Sequence, residues 1–145
     1  MSKLGCPCGY TISDNTDNLP YKGLIIRDQD YEPVFDSMSE DIAAFIRALL
    51  EGKRQEWLGE RFSQDYAGLN LEDSEVVHDL ITGYLLRRGL DIYQCERCGR
   101  IHVEDRKNKN HFFPFSADLE NATGVLSVDL KKEEDGDRNA QHNKR

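Results

Sequence analysis

Apolar residues follow two rhythms along this 145-residue chain. Ile42, Phe45, Ile46, Leu49 and Leu50 recur at spacings of three and four, which puts them on one face of a helix. Ahead of them, Ser37-Met38-Ser39-Glu40 has the form of a capping box, with Glu40 and Asp41 adding negative charge where a helix start favours it. Trp57, Leu58 and Phe62 resume a compatible pattern beyond Gly52, so a helix is predicted over about 38–63, broken near 52. Val76, Val77, Leu80, Ile81, Tyr84 and Leu85 form a second stripe. It predicts a helix capped by Asn70 or Asp73, with Arg87 and Arg88 in the last turn and Gly89 as C-terminal cap. The two helices are expected to pair as an antiparallel hairpin against a sheet.

Elsewhere the rhythm is two, or the apolar run is short. Residues 9–13 alternate, and Leu24-Ile25-Ile26 reads as a brief buried strand. Between them Asp14–Asn18 is a polar turn, and Asp28–Glu32 is an acidic stretch closed by Pro33. Leu90, Ile92 and Tyr93-Gln94 lead as a strand into Cys95, and Ile101-His102-Val103 leads out of Cys98. Phe112-Phe113-Pro114-Phe115 is the partner strand, with Pro114 marking an edge. One face of it would bury Phe113 and Phe115 and turn Phe112 elsewhere. Val125, Leu126, Val128 and Leu130 suggest a last alternating strand, and the charged residues 131–145 a disordered tail. The expected fold is α+β in a single domain over 1–130, with a helical insert at about 37–89.

The four cysteines stand as two pairs, Cys6-Pro7-Cys8-Gly9 and Cys95-Glu96-Arg97-Cys98-Gly99. A short Cys-to-Cys spacing lets one turn supply two ligands to a tetrahedral metal, and a following glycine permits the positive φ such a turn takes. Met1–Cys6 shows no apolar signal core, and no run approaches the roughly 18 apolar residues of a membrane helix. The expected compartment is therefore the cytosol, where thiols stay reduced and paired cysteines hold metal more often than they form disulfides.

These turns resemble those of the zinc-ribbon and zinc-knuckle family, in which two Cys-Gly turns face each other at hairpin tips. The resemblance covers about 30 residues, and the Cys6-Pro7-Cys8 turn departs from it by having one residue between its thiols instead of two. It implies a structural Zn²⁺ held by Cys6, Cys8, Cys95 and Cys98 in a small antiparallel sheet, a zinc ribbon split by the helical hairpin. Enlarging the closing loop to the 86 residues between Cys8 and Cys95 costs about 1.5 kcal/mol of entropy relative to a loop of about 15. Zinc binding is worth on the order of 10 kcal/mol at neutral pH, so the insertion does not defeat the site. Disulfides, a redox pair at Cys95–Cys98, iron in place of zinc, and His102 in place of one cysteine remain alternatives.

Charge narrows the function. The chain carries a formal net charge of −8, and residues 1–130, with 14 basic and 23 acidic side chains, carry −9. Such a surface repels phosphate backbones and attracts basic proteins. Asp28, Asp30, Glu32, Asp36, Glu40 and Asp41 concentrate the negative charge within fourteen residues and are the candidate partner-binding set. No phosphate loop, nucleophile elbow or helix-borne His-Glu-x-x-His is present, so an enzyme is not expected. In size, charge and architecture the chain resembles the small acidic bacterial immunity proteins that neutralise basic toxins. That resemblance implies a cytoplasmic binding protein with a basic protein partner such as a toxin domain. The competing expectation is a zinc-ribbon adaptor in transcription or translation that contacts nucleic acid through Arg97, Arg100, Arg106, Lys107 and Lys109.

Overall fold

The computed structural model describes residues 3–119 and 122–127. In chain order the described elements are β1 (Lys3–Gly5), β2 (Thr11–Ser13), β3 (Lys22–Ile25), α1 (Asp28–Leu50) and α2 (Arg54–Arg61). They continue with α3 (Gln64–Ala67), α4 (Asp73–Arg88), β4 (Leu90–Gln94), β5 (Ile101–Glu104) and β6 (Phe112–Phe115). The fold is α+β with small antiparallel sheets: a β1-β2 hairpin, and a four-stranded sheet ordered β3-β4-β5-β6. The chain separates into two compact units. Unit 1 holds the residues up to Leu24 and those from Asp91 onward, and unit 2 is Ile25–Leu90.

Unit 2 is helical. Its first helix, α1, begins ten residues before the predicted start, because Asp30, Val34 and Met38 extend the buried stripe of Phe45 and Ala48 backwards at helical spacing. Pro33 lies inside it, close enough to the N-terminus that its missing N–H removes only an early hydrogen bond. Asp28 and Asp30 supply first-turn negative charge, and Ser37, read as a cap, lies on the exposed mid-helix surface. Of the predicted apolar face, Phe45 is buried, whereas Ile46 and Leu50 are 49% and 84% exposed.

The predicted break at Gly52 has an exact hydrogen-bond signature. Gly52 takes φ +70°, its N–H bonds the Leu49 carbonyl, and the Lys53 N–H bonds the Ala48 carbonyl, which is a Schellman ending. Helix α4 runs where its stripe predicted, with Val76 and Leu80 fully buried. Its start is capped by Glu72 and Glu75 in a reciprocal capping box and not by Asn70 or Asp73, and Gly89 ends it in extended conformation. The pairs Asp30–Arg88 and Asp41–Tyr84 run in opposite senses along α1 and α4, so these two helices are antiparallel. The core comprises Phe45, Leu58, Ala67 and Val76, wrapped by Leu49, Trp57, Phe62, Tyr66, Leu71 and Val77.

Unit 1 has a smaller core, Cys6, Ile12, Tyr93 and Cys95, against which Leu4, Cys8, Tyr10, Tyr21 and Phe112 pack. Strand β1, three residues long, was not foreseen from the sequence. On β6 the expected facing is reversed. Phe112 meets Tyr93 edge-to-face with ring centroids 5.4 Å apart, while Phe113 and Phe115 are 48% and 57% exposed. Strand alternation makes either parity self-consistent, and the Glu104↔Phe112 register selects this one.

The buried Gln94 side chain anchors the segment after β6. Its amide nitrogen donates to the Gly99 and Ala122 carbonyls, and its oxygen accepts from the Val125 and Leu126 N–H groups. Val125 and Leu126 thus form a turn, not the predicted strand. Val128, Leu130 and the predicted tail lie outside the described residues.

Asp41 joins α1 to the rest of unit 2. It accepts hydrogen bonds from Arg61 Nε at 2.7 Å and the Tyr84 hydroxyl at 2.6 Å. Burial alone would raise its carboxyl, but the bonds from Arg61 and Tyr84 outweigh this and hold it below the ordinary aspartate range. Asp41→Asn is expected to destabilise the protein by about 2 kcal/mol near neutral pH. A group with a depressed folded pKa stabilises fully above its unfolded value, and that contribution is lost as pH falls through the folded value. Chemical denaturation of wild type and variant should therefore begin to converge only below about pH 4, the unfolded value, and should coincide once the pH lies below the folded value. A gap that persists there would show that the carboxylate charge is not what stabilises.

Candidate metal centre

Two loops present the cysteines, and their backbones are built alike. In the loop between β1 and β2, the Cys6 N–H bonds the Tyr10 carbonyl and the Gly9 N–H bonds the Cys6 carbonyl. In the loop between β4 and β5, the Cys95 N–H bonds the Arg100 carbonyl and the Gly99 N–H bonds the Cys95 carbonyl. The first loop is the second shortened by one residue, which is how Cys6-Pro7-Cys8 accommodates its missing spacer. Both glycines take positive φ, +84° at Gly9 and +73° at Gly99, as the turn geometry requires. Gly99 has a further reason: a Cβ there would sit 2.5 Å from the Ala122 carbonyl oxygen.

The loops bring all four sulfurs together, with the ligand atoms within 4.8 Å of one another. Cys6 Sγ lies 3.6 Å from Cys98 Sγ, and Cys8 Sγ lies 3.7 Å from Cys95 Sγ. A tetrahedral metal with bonds of about 2.3 Å to sulfur has sulfur–sulfur edges of about 3.8 Å, so this spacing fits one. The four cysteines can therefore hold a metal ion. Tyr10 also donates its hydroxyl to Glu96 at 2.9 Å, a polar link between the same two loops.

The sulfurs are unequal. Cys6 and Cys95 are buried, Cys8 is half-buried and Cys98 is exposed. Burial pushes the Cys6 thiol up to about 12. At Cys98 burial also acts to raise the thiol, but hydrogen bonds from the Arg100 backbone N–H and guanidinium overcome it and bring it down to about 6. The Arg100 Nη1 atom stands 3.4 Å from Cys98 Sγ, and its Nε donates to Ser116 at 3.1 Å.

His102 is the alternative ligand that the sequence offers in place of one cysteine. It is buried, it is not a member of the sulfur cluster, and its Nε2 has no hydrogen-bond partner among the described residues. Burial, with Arg100 nearby, lowers its pKa and keeps the ring neutral near physiological pH. His78 and His111 are exposed, and His142 lies outside the described residues.

The six acidic candidates divide into two groups. Asp30 is buried and bonded to Arg27, with Arg88 Nη1 at 3.9 Å, and Asp41 is committed to Arg61 and Tyr84. Asp28, Glu32, Asp36 and Glu40 are exposed and stand four residues apart along α1, in one row. None of these four makes an ion pair among the described residues. The signal for this division was available in the sequence as spacing, but only once the helix start was placed at Asp28.

Comparison with known families gives one match: the model of a domain of unknown function, DUF8617, covers residues 2–119. No curated protein and no solved structure matches the chain.

Metal added to the reduced chain should bind with a stoichiometry of one. Its X-ray absorption spectrum should show four sulfur neighbours at about 2.3 Å and no nitrogen. A nitrogen in the first shell would place a residue outside the four cysteines in the site.

Proposed function

The chain belongs to the DUF8617 family, and we propose that it is a zinc-clasped binding protein that neutralises a basic protein partner. In this reading the metal is a structural Zn²⁺, and the two hairpin-tip loops with their Cys-Gly turns are the halves of a zinc ribbon split by unit 2. Four thiolates saturate a tetrahedral ion, which leaves no open position for substrate or water. Sulfur–sulfur spacings of 3.6 and 3.7 Å and the matching loop hydrogen bonds support the zinc reading.

The observation that carries the binding role is the row Asp28, Glu32, Asp36 and Glu40. Helical rise spreads it over about 18 Å. Like charges four residues apart on a helix repel, at about 0.2–0.5 kcal/mol for each of the three neighbouring pairs. Apart from the first-turn charge that Asp28 gives α1, folding gains nothing from such a row, whereas a basic surface laid along it would remove the repulsion and gain attraction. The net charge of −8 would steer that encounter and make it salt-sensitive. The nucleic-acid alternative is weakened because Arg100, one of its five cationic residues, is engaged with Cys98 and Ser116. Among the described residues no helix is long and apolar enough to cross a membrane.

The test is the fourfold neutral variant Asp28→Asn, Glu32→Gln, Asp36→Asn, Glu40→Gln. It should melt close to wild type, because the repulsion removed along the row offsets the first-turn charge lost at Asp28. Its affinity for a basic partner recovered with the wild-type chain should fall by about a hundredfold or more at low salt. Undiminished binding by this variant, or recovery of nucleic acid instead of a basic protein, would contradict the proposal.

A further inference from the structure

The inequality of the four sulfurs has a chemical consequence. We propose that Cys98 is a reaction site for hydroperoxides, and that Cys6 resolves it by closing a disulfide that expels the metal yet keeps the two loops joined. The inference rests on the reading of the cluster as a metal site and is independent of the acidic row.

Three observations carry it. Cys98 is the one exposed sulfur of the four, so a small oxidant in solution meets it first. The Arg100 guanidinium, 3.4 Å from Cys98 Sγ, places a hydrogen-bond donor where a peroxide oxygen must approach. The Cys6 sulfur lies 3.6 Å from Cys98 Sγ, on the other loop.

The chemistry balances in two steps. The Cys98 sulfur attacks a peroxide oxygen: an S–O bond forms and the O–O bond breaks. Sulfur is oxidised by two electrons to the sulfenic acid, and the hydroperoxide leaves reduced as an alcohol, or as water from hydrogen peroxide. The Cys6 sulfur then attacks Cys98 sulfur, forming the S–S bond and releasing the sulfenic oxygen as water. In sum, two thiols and one hydroperoxide give one disulfide, one alcohol and one water. A metal that has lost two of its four thiolates is held weakly and dissociates.

The Cys6–Cys98 and Cys8–Cys95 pairs, at 3.6 and 3.7 Å, each take one cysteine from each loop. Oxidation therefore exchanges a metal link between the loops for a covalent one. Chelation of the reduced protein opens the junction, whereas oxidation empties it and leaves it closed.

The experiment titrates the reduced, metal-loaded full chain with hydrogen peroxide, follows released metal with a chromophoric indicator, and maps disulfides by peptide mass spectrometry. The first disulfide should be Cys6–Cys98, appearing in step with release of one metal per chain. Arg100→Met, which keeps all four thiols, should slow both by about tenfold. The oxidised, metal-free chain should keep the near-ultraviolet circular dichroism that the chelated, reduced chain loses. A first disulfide within one loop, Cys6–Cys8 or Cys95–Cys98, would overturn the inference, as would metal retention under peroxide. A purified chain that takes up no metal would sink the metal reading instead. The mapping on that chain would still decide the inference, with Cys6–Cys98 supporting it and any other first disulfide refuting it.

Discussion

Unit 1 depends on the convergence of four sulfurs from loops separated by 86 residues of chain. Its buried core is Cys6, Ile12, Tyr93 and Cys95, so two of its four members are themselves candidate ligands. The other two buried members are Ile12 and Tyr93, with Leu4, Tyr10, Tyr21 and Phe112 packed around them. The strands around this core have three to five residues each, too short to hold together by pairing alone. Small units of this kind are commonly stabilised by a metal, because binding free energy is then folding free energy. Unit 2 is different: Phe45, Leu58, Ala67 and Val76 sit among Trp57, Phe62 and Tyr66, an ordinary apolar core.

Charge is distributed by the same division between structure and surface. Asp14 is held by Lys22 and the Tyr93 hydroxyl in unit 1, and Asp41 by Arg61 and Tyr84 in unit 2. These carboxylates fix side chains inside each unit. The exposed row on α1 fixes no side chain in this way, and that contrast supports the proposed binding role.

The cysteine pairs, their glycines and the helical stripes could be read from the chain because each has a local physical signature. A metal turn needs two nearby thiols and a residue tolerant of positive φ, and Gly9 and Gly99 supply the latter at +84° and +73°. What could not be read depended on distant partners. Pro33 suggested an end to the acidic stretch, but the buried positions Asp30, Val34 and Met38 carried the helix across it. The facing of Phe112, Phe113 and Phe115 was set by register against β5, which local sequence leaves undetermined. Gln94 looked like an ordinary strand residue, and its role follows only from the Ala122 and Val125 groups that come back to it. The burial of His102 was illegible for the same reason: strand alternation marks a face and does not say what covers it.

The proposed dependence of unit 1 on a metal can be measured by amide hydrogen exchange on the reduced, metal-loaded chain before and after treatment with a chelator. The N–H groups of Gln94, Cys95 and Gly99, bonded to Tyr21, Arg100 and Cys95, report on unit 1, and that of Val76, bonded to Glu72, reports on unit 2. A metal-held unit 1 predicts that Gln94, Cys95 and Gly99 lose their protection on chelation while Val76 keeps its own. Unchanged protection at Gln94, Cys95 and Gly99 after complete metal removal would contradict it.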